Sequence, residues 1–242
     1  MELELPFIIG HRGASGSAPE NTRAGAIQAR KLGCRWIEID VQLSADSVPV
    51  VIHDHTLERT TNGHGPVAAA NAAQLAALDA GRWFAPAFAG EPIPTLAGMM
   101  RTCEELNLGL NIELKPSPGT VVQTAKAVAA TIERAKQPIL VSSFSQVALG
   151  AFHAAAPRIP LGALYRTAPQ DADLQRQSAP VCTIHVVARA LTRSDVARLN
   201  AAGFQVLSFV VDETDRAQQV RSWGVAAVFS DYPERFAGLV AA

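Results

Sequence analysis

The chain has 242 residues, of which 48% are hydrophobic and 18% are charged, and its formal net charge is -1 at neutral pH. This length fits one large α/β barrel or two small domains, and the composition is that of an ordinary soluble enzyme. The small net charge excludes a bulk field that would recruit nucleic acid or an anionic membrane. Affinity for a phosphorylated ligand therefore requires a local cluster of charge.

The N-terminal segment and the cysteines bear on the cellular compartment. The chain begins with acidic residues, Glu2 and Glu4, where a secretory signal carries basic ones, and no apolar run reaches the roughly 18 residues that span a bilayer. Cys34, Cys103 and Cys182 are odd in number and lack CxxC spacing, which favours buried free thiols over disulfides or a zinc site. We expect a cytoplasmic protein without stable membrane insertion.

Short β-branched runs alternate with Ala- and Leu-rich amphipathic runs along the chain, and this alternation predicts a (β/α)8 TIM barrel. Thr192 and Asp195 have the spacing of a capping box, and Gly203 is a plausible end for the helix that they begin. The predicted strands are Phe7–Gly10, Trp36–Leu43, Leu108–Leu114, Ile139–Ser143, Leu161–Tyr165, Cys182–Val187, Val206–Val211 and Ala226–Phe229. The predicted helices are Thr22–Leu32, Leu96–Leu106, Thr120–Ala135, Gln146–Ala155, Arg193–Ala201 and Asp215–Trp223.

One strand-like run, Pro49–His53, does not fit the repeat. Only five residues separate it from the second barrel strand, too few for a parallel crossover, so the two runs should form an antiparallel hairpin. With the turn near residues 45–47, Asp40 should fall roughly opposite His53. The following residues, about 55–94, are rich in Gly, Ala and Pro and are predicted to form an ordered insertion with one helix, Ala72–Leu78. The whole chain, residues 1–242, is thus predicted to be a single barrel domain.

Polar side chains cluster at predicted strand ends, where the active sites of α/β barrels lie. His11 and Arg12 directly follow the first strand, a placement that suits an anionic ligand, with a solvated loop as the alternative. Glu38 and Asp40 are two residues apart, so both carboxylates lie on one face of an otherwise apolar strand. Burying two like charges is expensive unless a cation or hydrogen-bond donors offset them. A metal site is therefore favoured over an outward polar face.

Glu113 and Lys115 repeat this spacing at the end of the next barrel strand. Glu113 would complete a set of three carboxylates, and oxygen ligands of this kind suit one divalent cation, Mg²⁺ or Ca²⁺, and not zinc. Lys115 would then be a point charge for phosphate, although a surface ion pair is the alternative for this residue alone.

Histidines complete the predicted site. His11 and His53 are of the residue type whose side chain can move protons near neutral pH. His185, in a late strand, either packs in the core or lines the barrel mouth. The remaining histidines, His55, His64 and His153, are interpreted as solvated or packing residues, and the aromatic residues Trp83, Phe84 and Phe88 as packing within the insertion.

The sequence motifs resemble those of glycerophosphodiester phosphodiesterases, and most closely the short bacterial cytosolic members. The resemblance spans nearly the whole chain in the expected order. The matching runs are 11–13 (HRG), 19–22 (PENT), 38–41 (EIDV), 53–54 (HD), 57–63 (LERTTNG), 79–81 (DAG), 93–96 (IPTL), 112–116 (IELKP), 142–144 (SSF) and 230–233 (SDYP).

This resemblance implies a TIM barrel of the phospholipase C-like phosphodiesterase type with an insertion after the second strand. It implies that glycerophosphodiesters such as glycerophosphocholine or glycerophosphoethanolamine are hydrolysed to glycerol 3-phosphate and an alcohol. It also implies the roles of the residues: His11 and His53 are the acid-base pair, Arg12 and Lys115 bind the phosphate, and the cation ligands are Glu38, Asp40 and Glu113.

The chain departs from the family pattern in the seventh barrel strand, where Phe209-Val210-Val211-Asp212 replaces a Trp-Thr-Val-Asn run. Phe209 still offers an apolar wall for the glycerol carbons. Which histidine is the base, whether the glycerol 2-hydroxyl or a water attacks phosphorus, which cation and head group are preferred, and the oligomeric state all stay open. The alternative functions are a lysophospholipase D and a noncatalytic phosphodiester-binding barrel.

Overall fold

Eight parallel strands close into a barrel, and a ninth strand lies antiparallel beside one of them. The computed structural model describes residues 3–170 and 179–236. The strands are β1 (Ile8–Gly10), β2 (Trp36–Leu43), β3 (Pro49–Val51), β4 (Gly109–Leu114), β5 (Ile139–Ser143), β6 (Leu161–Tyr165), β7 (Val181–Val187), β8 (Gln205–Phe209) and β9 (Ala227–Ser230). Their order is β1-β9-β8-β7-β6-β5-β4-β2-β3, and pairing of β1 with β2 closes the barrel. The predicted (β/α)8 architecture is confirmed.

Helices connect the strands, and most of them begin at a Ser, Thr or Asn whose side chain accepts a hydrogen bond from the first turn. Thr22, Thr95 and Ser145 have this role, and Thr192 forms the predicted capping box with Asp195. Gly203 follows the same helix with φ of 86°, which confirms the predicted end. The helices are α1 (Arg23–Lys31), α2 (Ala72–Ala76), α3 (Leu96–Glu105), α4 (Val121–Ile132), α5 (Gln146–Ala155), α6 (Arg193–Ala201) and α7 (Thr214–Ser222).

Alternation along each strand separates two apolar layers. The larger layer joins the outer face of the barrel to the helices and includes Ile37, Ile39 and Val41 of β2. The smaller layer fills the barrel interior and includes Trp36. Because Glu38 and Asp40 share the face of Trp36, β2 directs both carboxylates inward.

Two predictions about strand geometry are wrong by small amounts. β8 ends at Phe209 and not at Val211, although the backbone N–H of Val211 still donates to the carbonyl of Phe229 in the neighbouring strand β9 at 2.9 Å. In the hairpin, the register pairs Val41 with Val51, and the N–H of Ile52 donates to the carbonyl of Asp40 at 3.0 Å. Ile52 rather than His53 therefore lies opposite Asp40.

This register follows from the turn, in which the N–H of Ser44 donates to the carbonyl of Val48. The turn is therefore centred on Asp46, and β3 stops at Val51. His53 lies two residues past the end of the strand.

The insertion after β3 has its own small core, which confirms that it is ordered. Val50 and Ile52 pack with Leu57, Leu75 and other apolar residues of the insertion. The ring of Phe84 makes edge contacts with Trp83 and with Phe88, the ring centroids lying 5.7 Å apart in each pair, although Trp83 is 40% exposed. Within the described ranges, no helix has the length and hydropathy needed to cross a membrane.

Candidate active site

Three inward carboxylates lie at the carboxyl ends of two neighbouring strands. The parallel register of β2 and β4 pairs Asp40 with Glu113, and Glu38 lies on the same face of β2. One oxygen from each carboxylate lies within 4.8 Å of the other two. All three residues are at most 9% exposed. The structure thus brings together the three predicted cation ligands.

Two basic side chains border this carboxylate cluster. Arg12 Nε lies 3.3 Å from Asp40 Oδ2, and Lys115 Nζ lies 3.8 Å from Asp40 Oδ1 and 3.5 Å from Glu113 Oε1. Burial alone would raise the pKa of Asp40, but Arg12, His53 and Lys115 lower that pKa below its usual value. Asp40 is therefore the carboxylate that stays ionised.

The other two carboxyls behave differently because their cationic neighbours compensate less. Burial, together with the charges of Asp40 and Glu113, raises the pKa of Glu38 well above its usual value. Burial and the charge of Asp40 raise the pKa of Glu113 to about 7. A bound divalent cation would remove this conflict by holding both groups ionised.

The donor set fits a hard divalent cation. Glu38 Oε1 is buried and accepts no hydrogen bond, so one ligand oxygen points into the site without a partner. Buried acceptors are rarely left in this state. Carboxylate oxygens at close range are the ligands that Mg²⁺ and Ca²⁺ prefer, and none of the three ligands is a sulfur or nitrogen. The cluster could therefore hold a metal ion.

Each of the two predicted catalytic histidines is held by an aspartate through Nδ1. His11 Nδ1 lies 2.6 Å from Asp231 Oδ1, and His53 Nδ1 lies 2.6 Å from Asp54 Oδ1. His11 Nε2 lies 3.8 Å from Glu38 Oε2, on the side of the carboxylate cluster. With Nδ1 engaged, Nε2 is the nitrogen that each ring can offer to a substrate.

Burial and neighbouring groups shift the pKa values of Asp231 and His53. Although burial raises the pKa of Asp231, hydrogen bonds from His11 and Ser15 bring that pKa below its usual value. Burial lowers the pKa of His53, and the charge of Arg12 acts in the same direction. His53 therefore stays neutral to lower pH than a free imidazole.

The turn after β1 shapes the entrance to the cluster. Arg12 has φ of 52°, and its N–H donates to Glu38 Oε2 at 3.0 Å. Gly13 follows with φ of 92°, and a Cβ there would lie 2.7 Å from the carbonyl carbon of Gly25. A left-handed backbone so close to α1 requires glycine.

A small cavity lies beside the carboxylates, and Phe209 is among the residues that line it. His185 also lines the cavity but is buried: its Nε2 lies 2.8 Å from Thr183 Oγ1, and burial lowers its pKa to about 3. It is thus a neutral side chain of the barrel interior. The lining residues are His11, Glu38, Asn111, Glu113, Leu164, His185, Phe209 and Phe229.

Several residues of the site lie in the family motifs, but the sequence alone does not predict a role for them. Asn21 donates to Asp40 Oδ2 at 2.8 Å and accepts from the Asp40 N–H at 3.1 Å. Glu20 accepts from Arg12 Nη1 at 2.8 Å. Asp54 and Asp231 hold the two histidines. The motifs mark these residues as candidates for a function. The side chains that they contact are determined only when the chain folds.

Other proteins resemble this chain in sequence and in architecture. The chain matches the Glycerophosphoryl diester phosphodiesterase family over residues 11–235. It is 32% identical to a glycerophosphodiester phosphodiesterase of Caldanaerobacter subterraneus, over 97% of each chain. It is 31% identical to one of Bacillus altitudinis, over 94% of this chain and 95% of the other.

A solved structure resembles this chain in both fold and sequence. A phosphodiesterase of Oleispira antarctica, described in complex with the product sn-glycerol-3-phosphate, is 35% identical, has a TM-score of 0.95 and covers 98% of both chains. The predicted family is confirmed. This chain belongs to the glycerophosphoryl diester phosphodiesterase family and is an enzyme of that type.

Proposed function

We propose that this enzyme hydrolyses glycerophosphodiesters from deacylated phospholipids, such as glycerophosphocholine, in a cation-dependent reaction that releases glycerol 3-phosphate and an alcohol. The observation that carries the proposal is the pair of aspartate-held histidines beside three buried carboxylates. Binding alone requires no acid-base pair. The product named for the Oleispira antarctica relative supports the glycerol class of substrate.

Glu38, Asp40 and Glu113 would hold one Mg²⁺ or Ca²⁺ ion. When bound, the cation polarises a phosphate oxygen and neutralises charge that develops on it. Without the cation, any carboxylate of the cluster that is ionised would repel a phosphodiester. Arg12 and Lys115, which already lie beside Asp40, add positive charge for the phosphate.

His11 and His53 would move the protons at their Nε2 atoms. One histidine takes a proton from the attacking oxygen, which belongs either to the glycerol 2-hydroxyl or to a water, as the new P–O bond forms. The other donates a proton to the head-group oxygen as its bond to phosphorus breaks. Asp231 and Asp54 hold the rings by Nδ1 and stabilise the protonated form that arises during transfer.

If the 2-hydroxyl attacks, a cyclic phosphate forms first, and water then opens it with the two histidines in exchanged roles. Phe209 would support either route by providing an apolar wall for the glycerol carbons. Detection of a cyclic glycerol phosphate in rapid-quench samples would distinguish the two routes.

The test is a coupled assay for glycerol 3-phosphate with glycerophosphocholine and glycerophosphoethanolamine as substrates. Activity should disappear with EDTA and return with added Mg²⁺ or Ca²⁺. Absence of release from any glycerophosphodiester, with cation present, would contradict the proposed substrate class. Undiminished activity in EDTA would contradict an exchangeable cation. Higher turnover of a lysophospholipid would favour the lysophospholipase D alternative.

A further inference from the structure

The insertion after β3 contributes an arginine that bridges two carboxylates of the site. Arg59 Nε donates to Asp54 Oδ2 at 2.6 Å, and its Nη2 donates to Asp54 Oδ1 at 3.0 Å. The same guanidinium donates from Nη1 and Nη2 to the two oxygens of Glu20, at 2.7 and 2.8 Å. Arg59 thus makes two bidentate, charge-assisted pairs, the geometry for which a guanidinium is suited.

Each of these carboxylates also contacts a residue of the proposed machinery. Asp54 Oδ1 is the atom that holds His53 Nδ1, and Glu20 Oε1 accepts from Arg12 Nη1. A continuous chain of hydrogen bonds therefore runs from His53 to Arg12 through Asp54, Arg59 and Glu20.

Burial distinguishes this bridge from an ordinary surface ion pair, which contributes little to stability. The Arg59 side chain is 44% exposed, but that of Glu20 is only 9% exposed. Glu20 has lost most of its hydration and depends on its two arginines. Hydrogen bonds from Arg59 hold the pKa of Asp54 well below its usual range, so Asp54 presents a fixed anion to His53.

We propose that Arg59 is a positioning residue through which the insertion orients His53, by way of Asp54, and Arg12, by way of Glu20. The inference rests on the proposed function, in which His53 carries a proton and Arg12 binds phosphate. Without the guanidinium, the partly exposed carboxylate of Asp54 can turn toward water and release the imidazole. Glu20 then keeps Arg12 as its only arginine partner and no longer has a fixed position.

The contact of Arg59 with Asp54 and its contact with Glu20 predict different effects on the kinetic constants. Asp54→Asn should lower kcat, because it disturbs proton transfer by His53. Glu20→Gln should raise KM, because it disturbs phosphate binding by Arg12. Arg59→Met should do both, with kcat falling about 10- to 100-fold, as happens when a residue that orients a metal-ligating histidine is lost. In an Asp54→Asn background, Arg59→Met should add only the change in KM.

The matched control is Arg82→Met. Arg82 is also an arginine of the insertion paired with a carboxylate, Asp79 at 3.7 Å, but that pair lies outside the bridge. Arg82→Met should leave both kinetic constants within about twofold of wild type, in line with the small effect of an exposed ion pair.

Chemical rescue tests positioning against a merely structural role. Arg59→Ala opens a space at a partly exposed side chain, and low guanidinium chloride should restore at least tenfold in kcat, whereas an equal concentration of sodium chloride should not. If Arg59→Ala does not fold, Arg59→Lys replaces it. Lysine keeps the charge but cannot make two bidentate pairs, so kcat should still fall.

Unchanged kcat in Arg59→Lys and Arg59→Met would overturn the inference, as would absence of guanidinium rescue in a folded Arg59→Ala. His53→Ala is measured in parallel to separate the two proposals. Near-full activity of His53→Ala would contradict the proposed function itself. If His53→Ala loses activity while the Arg59 variants keep wild-type activity, the positioning role alone is contradicted.

Discussion

Replacing Glu113 by glutamine should stabilise the cation-free protein at alkaline pH. Burial and the charge of Asp40 raise the pKa of Glu113 from 4.5 to about 7. Between these pH values the unfolded chain ionises its glutamate while the folded chain keeps the proton. The contribution of Glu113 to the free energy of unfolding therefore falls as pH rises from 4.5, and the fall is nearly complete about one pH unit above 7.

The size of the effect follows from the two pKa values. The pKa of Glu113 rises from 4.5 in the unfolded chain to about 7 in the folded one. Ionising this buried carboxylate above pH 7 therefore costs about 3 kcal/mol of stability. Glutamine has the same shape but cannot ionise. In EDTA, the unfolding free energy of Glu113→Gln relative to wild type should rise by about 3 kcal/mol between pH 4.5 and pH 8.

Urea unfolding followed by circular dichroism at both pH values measures this difference. Glu105→Gln serves as the control, because that side chain is 68% exposed. Its difference from wild type should stay within about 0.5 kcal/mol at both pH values. Added Mg²⁺ or Ca²⁺ should stabilise wild type by about 3 kcal/mol at one hundred times the dissociation constant, and Glu113→Gln by much less. Parallel pH profiles for Glu113→Gln and wild type in EDTA would refute the reasoning.

The remaining predictions concern the histidines and the barrel interior. His11→Ala and His53→Ala should each lower kcat about 100- to 10,000-fold with an unchanged circular dichroism spectrum, and near-full activity of either would contradict the paired acid-base role. Asp231→Asn should lower kcat about 10- to 100-fold because an amide cannot hold the His11 ring as a carboxylate does, and an effect on KM alone would point to another role. Gly162→Ala should destabilise the fold by about 1–3 kcal/mol in urea unfolding, because its Cβ would lie 2.6 Å from His185 Nε2, and an unchanged midpoint would contradict this packing.

Much of the barrel and part of the site could be predicted from local sequence patterns. Strand and helix positions agree within one or two residues at most ends, because alternating and helical periodicities are local properties. Glu38 with Asp40, and Glu113 with Lys115, share a face for the same reason: two-residue spacing on a strand requires no knowledge of the rest of the chain. The family motifs then indicated a glycerol phosphodiester substrate.

The tertiary structure decided which polar residues meet and how they titrate. Asp231 lies 220 positions from His11 in sequence, and only closure of the barrel brings the two together. Arg59 of the insertion meets Glu20, which lies 39 positions earlier in the sequence. Asp40 has a lowered pKa and Glu38 a raised one, although they are neighbours on one face. Pairing and pKa depend on distances between atoms of different elements, and spacing along the chain does not contain those distances.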